Sequence, residues 1–143
     1  MSPIDILLVE DNEGDILLTT EALTEGKIAN TVNVVKDGWE AILYLEKLGK
    51  YSKALTPDLI LLDVNLPKLN GHEVLGKIKS KENLKHLPVI MLSTSSSAED
   101  IEASYKNNVN CYITKPVEVD DFLKVISSIE HFWISVVNLP SSR

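Results

Sequence analysis

A chain of 143 residues, 44% hydrophobic and 24% charged, is long enough for one well-packed domain and has ordinary globular composition. Its net charge of −7 comes from 21 acidic and 14 basic residues, with Arg143 the one arginine, and this argues against nucleic-acid binding, which needs phosphate-neutralising cations and guanidinium forks. No apolar run approaches the roughly 18 residues of a membrane span, the N-terminus lacks a signal-peptide pattern, and the single Cys111 excludes an internal disulfide, so no membrane contact and a cytoplasmic location are expected.

Ile4 to Val9 reads as a buried strand, with Glu10 and Asp11 at its C-terminal end. Asn12, with Asp15 three residues on, caps a helix through Leu17, Leu18, Ala22 and Leu23 that Gly26 ends. Thr31 to Val35 is a short strand. Asp37 with Glu40 reads as a capping box, and Ile42, Leu45 and Leu48 form the stripe of the helix behind it. Gly49 to Thr56 is a polar loop. Leu59 to Leu62 is a run of branched apolar residues of the kind covered on both faces in a parallel sheet, and Asp63 stands at its end.

A turn-rich loop from Val64 to Gly71 precedes a third helix whose inner face carries Val74, Leu75 and Ile78. Pro88 to Ser93 is a fourth strand, ending in a run of hydroxyl residues. Ser97 with Asp100 opens a short fourth helix. Asn110 to Thr114 is a fifth strand followed by Lys115-Pro116, and the last helix starts near Glu118 and is expected to reach Val137. His72, His86 and His131 have no metal-ligand spacing with one another or with Cys111, which reads as a small buried hydrophobe.

Strands alternating with five helices imply an α/β fold with a doubly wound, five-stranded parallel sheet. In such sheets ligands bind at the C-terminal strand ends, where the strand order reverses. Glu10 and Asp11, Asp63, Ser93 and Lys115 all fall at those ends, on four different segments. A lone aspartate at a strand end is usually a cap; four polar segments meeting at one edge point to a site.

The ordered set Val-Glu-Asp-Asn at 9–12, Leu-Leu-Asp-Val-Asn-Leu-Pro at 61–67, Pro-Val-Ile-Met-Leu-Ser at 88–93 and Tyr-Ile-Thr-Lys-Pro at 112–116 resembles the receiver domain of two-component response regulators, over about residues 4–130. The resemblance implies a flavodoxin-like sheet of strand order 2-1-3-4-5. It also implies a Mg²⁺ site made by Asp11, Asp63 and the backbone carbonyl of Asn65, with Glu10 reaching the metal directly or through water. Three carboxylates in one cleft repel one another, and Mg²⁺ with one ammonium brings their charge to zero. Asp63 is then the nucleophile that forms an aspartyl phosphate, and Lys115 supplies a point charge in a reaction governed by positioning and charge neutralisation. Ser93 is the hydroxyl that bonds a phosphoryl oxygen, where the family more often has Thr. Tyr112 matches the aromatic that turns inward with it, and Asn65 and Ser95 match positions that tune dephosphorylation. The corresponding Lys-Pro bond is cis in the family, so the resemblance implies a cis Lys115-Pro116 bond, which X-Pro tolerates far better than other bonds.

The expected organisation is a single domain over residues 1–143, with 127–143 an extended C-terminal helix and tail. With no output domain following, action is expected through partner binding, phosphate relay or self-association. Ile126, Ile129, Trp133 and Val136 recur at helical spacing beside Phe132, and this end resembles the tail of single-domain regulators paired with bacterial phytochromes. That implies a sensor histidine kinase of phytochrome type as partner and a homodimer through Phe132 and Trp133. The expected role is a phosphoacceptor signalling protein rather than an enzyme. The competing readings are an Asp-nucleophile phosphatase, which usually needs a second Asp where Asn65 stands, a nucleotide or flavin carrier, which Glu10 and Asp11 disfavour by repelling phosphate, and a phosphate-independent interaction scaffold.

Overall fold

Successive side chains of a strand point to opposite faces, so an apolar run with no polar alternation must be covered twice. The computed structural model, which describes residues 4–26, 29–94, 111–121 and 123–124, shows this covering. Strands β1 (Ile4–Val9), β2 (Ala29–Val35), β3 (Leu59–Asp63), β4 (Val89–Ser93) and β5 (Cys111–Thr114) form one parallel sheet in the order β2-β1-β3-β4-β5. Leu7, Val9, Ile60, Leu62, Val89 and Met91 face one core with helices α2 (Gly38–Glu46) and α3 (Gly71–Ser80). Ile6, Leu8, Leu59, Leu61, Ile90 and Leu92 face the other, with Ala22 and Leu23 of α1 (Glu13–Glu25). Leu59 to Leu62 are 0–1% exposed. At about 1.5–3 kcal/mol for each buried side chain, these four residues make β3 a main support of the sheet.

The flavodoxin-like α/β architecture and strand order expected from the sequence are therefore present. So are α1 with its Asn12 cap, whose side chain accepts the Asp15 N–H at 2.9 Å, and the inner face of α3 at Val74, Leu75 and Ile78. Helix α3 also carries a complete capping box, in which Asn70 Oδ1 accepts the Glu73 N–H at 2.9 Å and Glu73 Oε1 accepts the Asn70 N–H at 3.2 Å.

Several local expectations are corrected. Asp37 does accept the Glu40 N–H at 2.7 Å, but the Glu40 carboxylate pairs outward with Lys50 at 3.3 Å, so the capping box is half made. Helix α2 ends at Glu46 because Lys47 turns left-handed (φ 59°), and Leu48 leaves the apolar stripe for solvent. Leu17 and Leu18 of α1 are exposed, while Thr19, Ala22 and Leu23 are buried. Strand β2 starts at Ala29, ahead of Thr31, and β4 at Val89, after Pro88. Gly49–Tyr51 is a 3-10 turn inside the polar loop, with the Tyr51 ring 5.2 Å from that of Tyr44. Residues 119–121 and 123–124 are helical, in keeping with a last helix starting near Glu118. The expected fourth helix, Ser95, and the tail with Phe132 and Trp133 lie outside the described residues. No helix among the described residues is long and apolar enough to cross a membrane.

Candidate functional site

Parallel pairing brings the strand ends into line. Val9 pairs with Leu62 and Asp63 with Leu92, so Glu10 and Asp63 follow each other on neighbouring strands. Ser93 pairs with Thr114, and the Lys115 N–H donates to the Ser93 carbonyl at 2.7 Å, which carries the lysine to the same edge. The Lys115-Pro116 bond is cis.

The side chains converge on the Lys115 ammonium. Lys115 Nζ donates to Glu10 Oε1 at 2.6 Å and to Asp15 Oδ2 at 2.9 Å, and it lies 3.0 Å from Asp63 Oδ1. Burial opposes charge on Lys115, but its hydrogen bonds to Glu10 and Asp15 and its pairing with Asp63 outweigh that and hold it above the ordinary lysine range. Glu10 is fully buried. Desolvation pushes its carboxyl up to about 7, the Lys115 hydrogen bond pulls against the rise, and the Asp63 charge adds to it.

The acidic cluster fits a hard cation. One oxygen from each of Glu10, Asp11 and Asp63 lies within 4.8 Å of the others, and this is the one such group of three among the described residues. All three are oxygen donors, which Mg²⁺ prefers. Asp63 Oδ1 is buried and accepts no aligned hydrogen bond; the 3.0 Å approach of Lys115 is an ion pair without hydrogen-bond alignment. A buried carboxylate oxygen so placed has capacity left for a cation or an incoming group.

The other expected site residues take graded positions. Asp11 and Asn65 are exposed at the rim, Ser93 is fully buried at the end of β4, and Tyr112 is half-buried and packed against the core of the α2–α3 face. Asp15 was read from the sequence only as the partner of the Asn12 cap, yet it reaches Lys115. It lies in the first turn of α1, just after the Glu10–Asp11 strand end. A separate cleft of about 390 Å³ opens at the opposite sheet edge, lined by Asp5, Thr31, Tyr44, Tyr51 and Lys53 among others, and shares none of these site residues.

Comparison with known proteins identifies the family of the chain. Residues 6–127 match the family described as response regulator receiver domain. The chain is 43% identical over 140 residues to the response regulator Rcp1 of Synechocystis sp., covering 98% of this chain and 95% of Rcp1. A crystal structure of the phosphorylated cyanobacterial phytochrome response regulator RcpA is similar with a TM-score of 0.79 at 48% identity, covering 94% of this chain and 96% of that one. The Mn²⁺-bound form of Rcp1 is similar with a TM-score of 0.77 at 43% identity, covering 96% and 99%. On the family match and the extent of these relatives, the chain belongs to the response regulator receiver domain family.

Proposed function

We propose that Asp63 accepts a phosphoryl group from a sensor histidine kinase or phosphotransfer protein, in a Mg²⁺-dependent reaction, and that the phosphorylated chain signals by changed partner binding or by dimerisation. The observation that carries this reading is the buried Asp63 carboxylate with a hydrogen-bonding capacity left over, 3.0 Å from a lysine and within 4.8 Å of two further acids. Glu10, directly or through water, Asp11 and Asp63 would hold the cation, joined by the backbone carbonyl of Asn65. Bound Mg²⁺ supplies the positive charge that offsets the carboxylates and the transferring phosphoryl oxygens.

An Asp63 carboxylate oxygen attacks phosphorus, the bond from phosphorus to the donor's leaving atom breaks, and the leaving group departs with that electron pair. Lys115 steadies the charge on the phosphoryl oxygens and the Ser93 hydroxyl donates to one of them. Tyr112 turns inward as Ser93 is drawn in, passing the change to the surface of β4 and β5. The role is that of a cytoplasmic phosphoprotein that promotes its own phosphorylation and dephosphorylation.

The similarity to Rcp1 and RcpA supports a phytochrome-type histidine kinase as donor, and the apolar tail with Phe132 and Trp133 supports a homodimer through that end. Acetyl phosphate with Mg²⁺ is expected to add one acid-labile phosphoryl group, seen by intact mass, and to add none to Asp63→Asn or after chelation. No incorporation from acetyl phosphate or from a phosphorylated kinase sinks the reading, and sustained turnover of varied phosphate esters replaces it with a phosphatase. Light scattering that finds a monomer with and without a phosphate mimic removes the dimer.

A further inference from the structure

Lys115 has three N–H donors, and two are committed to hydrogen bonds with Glu10 and Asp15. Glu10 belongs to the acidic cluster and Asp15 does not. The two partners therefore differ in what cation binding does to them. A cation held by Glu10 and Asp63 weakens both as acceptors for a second positive charge, and it repels the ammonium that sits on them. Asp15 keeps its full charge and becomes the strongest partner Lys115 has. Its position is fixed by α1, since the Asp15 N–H is tied to the Asn12 cap at 2.9 Å, while its side chain is one-third exposed and faces the cleft from outside the cluster.

We infer that Asp15 is a positioning residue for Lys115: it holds the ammonium at the α1 side of the cleft, so that Glu10 and Asp63 can take a divalent cation while Lys115 keeps an N–H for the phosphoryl group. The inference rests on the phosphoacceptor reading above. Without Asp15, Lys115 falls back on Glu10 and Asp63 and competes with the cation for them. An acid in the first turn of a helix also favours the helix dipole whatever it touches. A simple negative charge near the site likewise attracts any cation. The test must separate the contact with Lys115 from both.

A double-mutant cycle on the full chain does so, with Mg²⁺ and Mn²⁺ affinities measured by titration calorimetry for the unsubstituted chain, Asp15→Asn, Lys115→Met and the double variant. Asp15→Asn is expected to weaken cation binding by roughly fivefold, the factor appropriate to a partly exposed ion pair. In the Lys115→Met background the same substitution is expected to change affinity by less than about twofold, because only a screened surface charge is lost. An equal loss in both backgrounds makes Asp15 a bare charge and overturns the inference, as does no loss in either. An unsubstituted chain that binds neither cation overturns the inference together with the phosphoacceptor reading. Normal cation binding and phosphorylation with an additive cycle overturn the inference alone.

Discussion

Gly71 abuts the backbone of Asp63. A Cβ on Gly71 would lie 2.3 Å from the Asp63 carbonyl oxygen and 2.7 Å from the Val64 Cα, while the Gly71 N–H donates to the Val64 carbonyl at 2.8 Å. The first residue of α3 therefore pins the chain just after the proposed phosphoacceptor, and it does so by lacking a side chain. Backbone cannot swing aside as a flexible side chain can. Gly71→Ala is expected to cost about 1–3 kcal/mol by overpacking, measured by urea unfolding. Because it displaces Asp63 itself, phosphorylation by acetyl phosphate is expected to slow by roughly ten- to a hundredfold. Unchanged stability and rate would mean that the loop yields.

Asn70 sets the same helix from the other side. Its capping box with Glu73 satisfies two N–H groups at the start of α3. Asn70→Ala is expected to lower stability by about 1 kcal/mol, with the cation affinity of the acidic cluster unchanged, since the hydrogen bonds of the Asn70 cap go to Glu73, outside the cluster. Thermal melts and a Mg²⁺ titration check the two halves. A large loss of affinity would show that the cap orders Asp63 as well as the helix.

The site was legible in the sequence because a parallel sheet aligns strand ends: once Ile4 to Val9, Leu59 to Leu62 and Pro88 to Ser93 read as doubly covered strands, Glu10, Asp63, Ser93 and Lys115 had to meet. The cap role weighed for Asp63 belongs instead to Asp58 at the other end of β3, whose Oδ2 accepts the Asp5 N–H at 2.8 Å. Asp15 was hidden because its local pattern already had an explanation in the Asn12 cap, and contact with a residue 100 positions away leaves no trace in spacing. Leu48 misled because α2 is ended by a left-handed lysine, with no glycine there to mark the stop. Glu40 could not be seen to prefer Lys50 over the Asp37 N–H, since the two partners lie on either side of it in sequence.

Lys115 pairs with the buried Glu10 and Asp63 and with the partly exposed Asp15, and its own side chain is 8% exposed. Lys115→Ala leaves Glu10 and Asp63 facing each other without compensation and is expected to cost about 3 kcal/mol in cation-free buffer. Mg²⁺ replaces the missing charge, so millimolar Mg²⁺ should raise the melting temperature of this variant more than that of the unsubstituted chain. Equal shifts in the two proteins would show that Lys115 does not neutralise the cluster.

Glu10 ties the site to pH. Its carboxyl is raised from 4.5 to about 7 in the folded chain, first by burial and then by Asp63, with Lys115 opposing. A carboxyl raised on folding holds its proton more tightly in the folded state, so its contribution to cation-free stability is full below about 4.5 and is lost as pH rises through about 7. Cation binding runs the other way, because protons and Mg²⁺ compete for the same oxygens. Mg²⁺ affinity is expected to increase as pH rises from 6 and to level off above about 7.5, by up to roughly tenfold in total. Glu10→Gln removes the titrating proton, so its affinity should be weaker at pH 8 and nearly level across the range. Titrations at pH 6, 7 and 8 on both proteins decide it. A Glu10→Gln variant with the same pH profile as the unsubstituted chain would assign the dependence to another group.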